Sequence, residues 1–281
     1  MIFMPKFDPD AVIAALPEAT AMMGVPTFYT RLLDHSDLDR ALCANMRLFV
    51  SGSAPLLAET QAAWRERTGF AILERYGMTE TNMITSNPYD GERRPGAVGF
   101  ALPGVSVRIA DLETSAPVQA GEIGVIEVKG PNVFAGYWRM PEKTAQEFRA
   151  DGYFITGDLA RVDDDGYIHI VGRAKDLVIS GGFNVYPKEV ETEIDAIEGV
   201  LESAVFGVPH ADFGEAVTAA VVPRPGATLS EAGILSALGC RLAKFKAPKQ
   251  IVLVEALPRN AMGKVQKAAL REAYKNIYRS L

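Results

Sequence analysis

Short apolar runs alternate with amphipathic stretches along the first part of the chain. The apolar runs have the length and composition of buried strands, and they lie at residues 2–4, 21–25, 48–50 and 71–76. The stretches between them predict helices at residues 8–16, 26–33 and 57–68. Asp8 is a typical N-cap and Pro9 a typical first helical residue. Such alternation is typical of right-handed βαβ units around a parallel sheet, so we expect ligands at the carboxyl ends of these strands.

The pattern changes at residue 96 and again near residue 175. Residues 96–174 contain short β-like runs separated by Gly, Pro and Asp turns, which predicts an antiparallel, barrel-like part. Beyond it, predicted helices and strands are mixed, as in a small α+β domain, with helices at 190–197 and 230–241 and strands at 200–208, 215–222 and 249–254. The predicted fold class is therefore α/β plus α+β. Its domains are residues 1–174, with a βαβ part at 1–95 and a β part at 96–174, and residues 175–281.

Composition describes an ordinary globular chain of 281 residues, 48% hydrophobic and 23% charged. The formal net charge of −6, without any Lys/Arg-rich run, disfavours binding to nucleic acid or to an anionic membrane. Cys43 and Cys240 form neither a disulfide framework nor a metal-binding spacing, which is typical of a reducing compartment. The sequence has no secretory leader pattern and no apolar run of membrane-spanning length. We therefore expect a cytoplasmic protein that binds small molecules.

Two predicted strands end in chemically suggestive segments. The segment 76–80 (Tyr-Gly-Met-Thr-Glu) offers a stacking ring, a glycine, a hydroxyl and a carboxylate within five positions. Taken alone, it is equally consistent with a strand that runs into a polar turn. The segment 51–55 (Ser-Gly-Ser-Ala-Pro) presents small residues and free N–H groups that a flat ring or an anion could approach. A serine hydrolase is disfavoured because the G-x-S-x-G elbow is absent.

A second group of polar residues lies between residues 152 and 191. Asp158 could accept two hydrogen bonds from a ribose diol, and Arg173 could supply complementary donors. The alternative for each residue alone is a turn cap and an exposed ion pair. Ser180-Gly181-Gly182 predicts a backbone-permissive turn. The three histidines, His35, His169 and His210, are isolated in sequence, so no metal site is predicted from protein ligands alone.

The ordered combination of these motifs resembles the adenylate-forming superfamily, which includes acyl-CoA synthetases, luciferases and peptide-synthetase adenylation domains. The motifs are ERYGMTE at 74–80, GYW with PEKT at 136–144, TGD at 156–158, GRAKD at 172–176, SGG at 180–182 and PRNAMGKV at 258–265. The resemblance implies that Tyr76 lies against adenine, Thr79 near the α-phosphate and Glu80 on Mg²⁺. It places Asp158 and Arg173 on the ATP ribose. Its implied adenine site comprises Ser53, Ala54, Pro55, Glu74, Arg75, Tyr76, Gly77 and Met78.

The resemblance also implies a mobile C-terminal domain that serves two half-reactions. Lys175 corresponds to the hinge, and Lys264 to the catalytic cation at the transition state between carboxylate and adenylate. A lysine beside a glycine on a loop is ordinarily just solvent-exposed, but a point charge on a flexible stem suits this role. Gly181 corresponds to the passage for the pantetheine arm of coenzyme A. Because acetylation would remove the charge of Lys264, a lysine acetyltransferase is a candidate partner.

The resemblance covers the whole chain but only the later part of the family's sequence. No glycine-rich phosphate loop occurs: G-x-x-x-x-G-K-[ST] and Ser/Thr/Gly-rich runs ending in Pro-Lys-Gly are both absent. In full-length members that loop holds the β- and γ-phosphates of ATP. We therefore expect residues 1–174 to be an incomplete adenylation domain, and the chain by itself to fall short of the whole reaction.

The substrate prediction concerns Arg31. GVPTFYTRLL, SGSAPL and ERYGMTETNM resemble the malonyl-CoA synthetases, which implies that Arg31 and Ser53 hold the distal carboxylate. The predicted activity is ATP-dependent ligation of malonate, or of a related dicarboxylate such as methylmalonate, to coenzyme A through an acyl-adenylate. If Arg31 instead points to solvent or pairs with Asp34 or Asp37, a generic fatty- or aryl-acyl-CoA ligase is the alternative. Two further alternatives are a catalytically incompetent AMP-binding fragment and a peptide-synthetase adenylation domain.

Overall fold

The computed structural model describes residues 1–112, 114–239, 241–260 and 264–278. Within it the chain forms two compact units. The first comprises residues 1–156 and 160–170, and the second comprises residues 157–159 and 171–281. Cys240, and residues 261–263 of the motif at 258–265, lie outside the described residues. The assignment of domains at 1–174 and 175–281, and the mobility of the second, stay predictions.

A five-stranded sheet forms the core of the first unit, in the order β1-β2-β3-β4-β5. Its strands are β1 (Ala21–Gly24), β2 (Leu48–Ser51), β3 (Leu73–Met78), β4 (Asn82–Ser86) and β5 (Phe100–Ala101). The strands β1, β2 and β3 are parallel, whereas β4 pairs antiparallel with β3 and β5 with β4. The helices are α1 (Pro9–Ala15), α2 (Pro26–Leu33) and α3 (Ala58–Thr68). The predicted βαβ alternation is thus confirmed up to β3.

Helix α1 begins where the sequence predicts. The Asp8 side chain accepts a hydrogen bond from the Ala11 N–H at 3.2 Å, and Pro9 is the first helical residue. The strand predicted at residues 2–4 is wrong, because Ile2 and Phe3 are exposed and have no strand assignment. A strand needs a neighbour to satisfy its backbone groups, and none of the described residues pairs with this segment.

A four-stranded sheet follows, in the order β6-β7-β8-β9. Its strands are β6 (Ser106–Ala110), β7 (Gly124–Lys129), β8 (Phe154–Val162) and β9 (Ile168–Arg173), and helix α4 spans Pro141–Glu147. The predicted barrel-like character needs correction, since these strands form an open sheet within the described part of the chain. Four strands are too few to close around a packed interior. Asp163 and Tyr167 lie at the two ends of the connection between β8 and β9. The Tyr167 N–H donates a hydrogen bond to the Asp163 carboxylate at 2.9 Å.

The second unit is the α+β domain that the sequence predicts. Its strands are β10 (Val178–Ser180), β11 (Phe183–Val185), β12 (Val200–His210), β13 (Gly214–Pro223) and β14 (Gln250–Leu253). They form a sheet in the order β11-β10-β13-β12, with β14 parallel to β13. The helices are α5 (Pro187–Asp195), α6 (Glu231–Leu238) and α7 (Lys267–Tyr274), of which α7 was not predicted. Apolar residues of β12 and β13 fill two core clusters, one of them shared with α5 and α6. Each described helix is too short or too polar to cross a membrane.

Candidate active site

The predicted segment 51–55 begins at the last residue of β2. Ser51 pairs with Glu74 of β3, so this segment lies beside the next predicted one on the sheet. Ser53, Ala54 and Pro55 are all exposed. Ser53 has a φ of +70°, a left-handed conformation that residues other than glycine adopt at some energetic cost. Such strain is often found at functional sites, and here it holds a hydroxyl at the exposed end of the loop.

Arg75 reaches back from β3 against this loop. A Cβ atom at Gly52 would lie 2.5 Å from Arg75 Nη1, so a larger residue there would have to displace the guanidinium. The Arg75 Nε is buried and has no hydrogen-bond partner among the described residues. A guanidinium is always charged, and buried donors are nearly always paired in folded proteins. The Arg75 Nε is therefore a cationic donor that no residue described by the structure satisfies.

Glu74 is buried on the same strand, with 5% of its surface exposed. Its Oε1 accepts a hydrogen bond from Gly96 N–H at 3.1 Å. Burial raises the pKa of the Glu74 carboxyl to about 7, because it penalises the charged form more than the backbone hydrogen bonds favour it. Glu74 thus titrates near neutral pH inside the first unit.

The predicted segment 76–80 forms a tight antiparallel hairpin. Strand β3 continues through Met78, two residues beyond its predicted end, and turns into β4. Gly77 is required at this point, since a Cβ there would lie 2.0 Å from the Asn82 carbonyl oxygen. Thr79 is exposed and Glu80 is partly buried, so the turn presents a hydroxyl next to a carboxylate.

The structure adds one residue to this hairpin that the sequence analysis did not assign. The hydroxyl of Tyr137 donates a hydrogen bond to Glu80 Oε1 at 3.0 Å. The sequence indication was the GYW motif, which supported the family resemblance without suggesting a role for the tyrosine. Glu80 is therefore held by a side chain 57 positions away.

Asp158 and Arg173 meet in the second unit. The Arg173 Nε lies 2.7 Å from Asp158 Oδ1, and Nη2 lies 3.5 Å from Oδ2. Asp158 is 5% exposed, whereas the Arg173 side chain is 40% exposed. A nearly buried carboxylate with an orienting guanidinium is suited to accept hydrogen bonds from a polyol.

Lys175 and Gly181 lie further along this unit. Lys175 is exposed in a single 3-10 turn, Ala174–Asp176, shortly after the chain enters the second unit. Gly181 and Gly182 connect β10 and β11 as a two-residue turn, with φ values of +59° and +82°. Positive φ at both positions is typical of a type I′ hairpin and favours glycine. The exposed turn therefore offers a backbone without side chains.

Lys264 is exposed, and its backbone is hydrogen-bonded to Asn260. Its N–H donates to Asn260 Oδ1 at 2.9 Å, and the Asn260 N–H donates to the Lys264 carbonyl at 2.9 Å. Arg259 and Val265 form an antiparallel bridge, and Arg259 makes an ion pair with Glu202. The backbone at Arg259 and Asn260 is thereby held against that at Lys264 and Val265, and Lys264 is exposed.

Arg31 lies on the exposed face of α2, opposite the buried Tyr29 and Leu32. It forms no ion pair with Asp34 or Asp37, nor with another residue that the structure describes. Of the two alternatives for Arg31, pairing with Asp34 or Asp37 is absent, whereas an exposed position on α2 is what the structure contains. Arg31 and the segments at 53–55 and 74–80 belong to the first unit, whereas Asp158, Arg173, Lys175, Gly181 and Lys264 belong to the second.

Comparison with models of protein families identifies the class of protein to which the chain belongs. The model of the AMP-binding enzymes matches residues 1–138, and the model of the AMP-binding enzyme C-terminal domain matches residues 189–264. The chain belongs to the AMP-binding, adenylate-forming enzyme family, as its motifs predict.

Comparison with individual proteins shows which members of the family the chain is similar to. The chain is 37% identical to the malonate–CoA ligase of Arabidopsis thaliana over 307 residues, covering 98% of this chain and 50% of that protein. It is 40% identical to the 3-[(3aS,4S,7aS)-7a-methyl-1,5-dioxo-octahydro-1H-inden-4-yl]propanoyl:CoA ligase of Rhodococcus jostii, covering 97% of this chain and 52% of that protein. The crystal structure of ATP-bound MatB from Rhodopseudomonas palustris matches with a TM-score of 0.97 and 66% identity, over 99% of this chain and 55% of that chain. The chain thus spans about half the length of the curated relatives it matches.

Proposed function

We propose that this chain is the later part of an acid–CoA ligase that activates malonate, or a closely related dicarboxylate, with ATP. In the first half-reaction a carboxylate oxygen of the acid attacks the α-phosphorus, and pyrophosphate leaves. In the second, the thiolate of coenzyme A attacks the acyl carbon and AMP leaves. Membership of the adenylate-forming family supports the chemistry, and the malonate–CoA ligase of A. thaliana supports the choice of acid.

The hairpin of β3 and β4 and the loop after β2 are the proposed site for the adenine and α-phosphate. Tyr76 would stack on the base, with the implied adenine-site residues around it (Ser53, Ala54, Pro55, Glu74, Arg75, Gly77 and Met78). The Thr79 hydroxyl would donate a hydrogen bond to the α-phosphate, since Thr79 is exposed at the turn. Gly77 supports this role because any larger residue would displace the hairpin.

Glu80 is the proposed ligand of Mg²⁺. No cluster of three or more His, Cys, Asp or Glu side chains capable of holding a metal occurs among the described residues. A single carboxylate nevertheless fits Mg²⁺, which is commonly held by one or two carboxylates together with substrate phosphates and water. When bound, the ion would neutralise charge on the phosphates.

Asp158 and Arg173 are the proposed ribose site. The two carboxylate oxygens can accept from the two hydroxyls of the diol, and the Arg173 contact at 2.7 Å keeps the carboxylate oriented. Burial of Asp158 strengthens hydrogen bonds to it, because water competes less for the oxygens.

Besides the similarity to the malonate–CoA ligase of A. thaliana, two arginine side chains of the first unit, Arg31 and Arg75, support the choice of a dicarboxylate. Arg31 forms no ion pair with a described residue, and the buried Nε of Arg75 has no hydrogen-bond partner there. A monocarboxylate has only one carboxylate, and that group reacts with ATP. The second carboxylate of malonate would satisfy such donors, with Arg31 and Ser53 as its proposed ligands and Arg75 beside them.

Lys264, Lys175 and Gly181 are assigned to the two half-reactions. Lys264 would stabilise charge that develops between carboxylate and α-phosphate, and its exposed ammonium is also open to an acetyltransferase. Lys175 would be the hinge about which the C-terminal domain rotates between the half-reactions. The turn at Gly181 would let the pantetheine arm of coenzyme A pass close to the backbone.

The experiment fuses this chain to the first part of R. palustris MatB and measures pyrophosphate release and thioester formation. Malonate should support both, whereas acetate, octanoate and benzoate should support little of either. The 281-residue chain alone should bind AMP but should not release pyrophosphate from ATP above background. If the fusion used monocarboxylates as well as malonate, a generic acyl-CoA ligase would replace the proposal. Failure of the chain to bind AMP would contradict the nucleotide site.

A further inference from the structure

The segment after β7 contacts the β3–β4 turn at several atoms. The Phe134 N–H donates to the Glu80 carbonyl at 2.8 Å, and the Tyr137 hydroxyl donates to Glu80 Oε1 at 3.0 Å. Asn132 Nδ2 donates to the carbonyl of Thr81 at 2.7 Å. Both the backbone and the side chain of Glu80 are thus held by one segment that is distant in sequence.

Tyr137 is itself fixed in place by its neighbours in the GYW and PEKT motifs. Its N–H donates to Thr144 Oγ1 at 2.9 Å, and that hydroxyl donates to the Met140 carbonyl at 2.9 Å. Gly136 has a φ of +145°, and a Cβ there would lie 2.6 Å from Thr144 Cγ2, so glycine is required for this approach. The motif residues therefore converge on the orientation of one tyrosine.

The ring of Tyr137 is also constrained from two sides. The Phe134 ring packs edge-on against it with centroids 4.8 Å apart, and Lys143 Nζ lies 4.3 Å from its centroid. A phenol held in this way has little freedom to follow a moving carboxylate. The carboxylate must instead adopt the position that the phenol defines.

The contact leaves the two oxygens of Glu80 unequal. Oε1 accepts from Tyr137, whereas Oε2 accepts no hydrogen bond from the residues that the structure describes. A glutamate has three side-chain torsions, and it loses conformational freedom about them when it binds a ligand. A hydrogen bond to one oxygen reduces that loss and keeps the other oxygen available.

We infer that Tyr137 is a positioning residue that orients Glu80 for Mg²⁺, with Oε2 as the oxygen offered to the ion. The inference rests on the proposed function, since it assumes that Glu80 is the metal ligand. It assigns a role to the GYW and PEKT motifs, which would otherwise serve only to pack the loop after β7. Partners that orient a metal ligand typically change metal affinity by about 10- to 100-fold.

The first test asks whether Tyr137 orders the Glu80 side chain in the 281-residue chain without nucleotide. Side-chain ¹³C relaxation is measured with selectively labelled glutamate, and the Glu80 resonance is assigned by its loss in Glu80→Gln. Tyr137→Phe should make the Glu80 side chain mobile. Tyr153→Phe is the matched control, because it removes a hydroxyl that contacts Ser106 Oγ at 2.6 Å elsewhere in the same unit. Equal order of Glu80 in wild type and Tyr137→Phe would overturn the inference.

The second test measures by calorimetry how the chain binds ATP at increasing Mg²⁺ concentrations and how it binds AMP without metal. Tyr137→Phe should raise the Mg²⁺ concentration for half-maximal enhancement of ATP binding by about tenfold. AMP binding without metal should stay within about twofold, whereas a merely structural defect in the hairpin would weaken both. In the Glu80→Gln background, Tyr137→Phe should have no further effect on the Mg²⁺ requirement.

The two possible failures are distinguishable. If ATP binding responds to Mg²⁺ equally in wild type and Tyr137→Phe, the positioning role is wrong while the proposed function stands. If the wild-type chain binds neither ATP nor AMP, the proposed nucleotide site is wrong, and the metal role of Glu80 and Tyr137 is wrong with it.

Discussion

Asp158 and Arg173 are 15 positions apart in sequence, yet Arg173 Nε lies 2.7 Å from Asp158 Oδ1. The carboxylate comes from the middle of β8 and the guanidinium from the last residue of β9, which are neighbouring strands in one sheet. Antiparallel pairing places distant positions side by side, so the connection between the strands determines which residues meet. The pair leaves the carboxylate oriented and nearly buried, which is the basis of the first prediction.

Asp158→Asn should weaken AMP binding by about tenfold or more, measured by calorimetry. The asparagine amide keeps one acceptor oxygen but has an NH₂ group in place of the second oxygen. This NH₂ group cannot accept a hydrogen bond from a ribose hydroxyl. With 2′,3′-dideoxy-AMP, wild type and variant should bind alike because the diol is missing. Asp165→Asn is the control, since Asp165 is an exposed carboxylate also paired with an arginine, Arg94. An equal loss for both nucleotides would contradict a contact to the ribose.

Arg31→Leu in the fused ligase should lower kcat/KM for malonate by about 100-fold, which corresponds to about 3 kcal/mol. The reason is that the distal carboxylate would lose a charged partner. Activity with a monocarboxylate of similar length should be unchanged or higher. Arg47→Leu removes another exposed arginine that precedes β2 and should leave malonate kinetics unaltered. Unchanged malonate kinetics in Arg31→Leu would return the assignment to a generic acyl-CoA ligase.

Lys264→Ala in the fused ligase should abolish formation of malonyl-adenylate but largely spare thioester formation from supplied malonyl-AMP. The ammonium would act only where carboxylate and α-phosphate meet, so the second half-reaction does not need it. Acetylated Lys264 should behave like the alanine variant because the charge is lost. The matched control is Lys275→Ala, another exposed lysine of the second unit. Equal loss of both half-reactions would contradict this assignment.

Glu74 should make the first unit less stable as the pH rises. Its pKa is raised from 4.5 to about 7, so the folded state holds the proton more tightly than the unfolded state. The stability contributed by this proton is complete below about pH 4.5 and is lost as the pH rises through 7. Glu74→Gln should therefore flatten the pH dependence, with a gain in the free energy of unfolding on the order of 3 kcal/mol at pH 8 and little change at pH 4.

Urea unfolding between pH 4 and pH 8 measures this effect. The control is Glu59→Gln, which changes an exposed carboxyl on α3 and should leave the pH dependence of wild type intact. A Glu74→Gln variant with the same slope as wild type would show that Glu74 is charged at no cost, contrary to its burial.

Local patterns in the sequence predicted most of the elements. The apolar runs of β12 and β13 and the capped start of α1 agree with the structure, because side-chain periodicity and capping act over a few residues. The same local reasoning failed at residues 2–4, where an apolar run has no neighbouring strand to pair with. It also missed β4, since the turn between β3 and β4 lacks the Asn-Gly or Asp-Gly pair that marks many hairpins.

The sequence by itself determined the family, the types of residue at the candidate site and the order of the motifs. Only the tertiary structure decided that Tyr137 meets Glu80, that Arg75 packs against Gly52 with its Nε unsatisfied by the described residues, and that Arg31 is not paired with a neighbouring aspartate. Motifs and periodicity report the conformation of neighbouring residues. Contacts between distant positions depend on strand pairing and packing, which arise only when the whole unit is assembled.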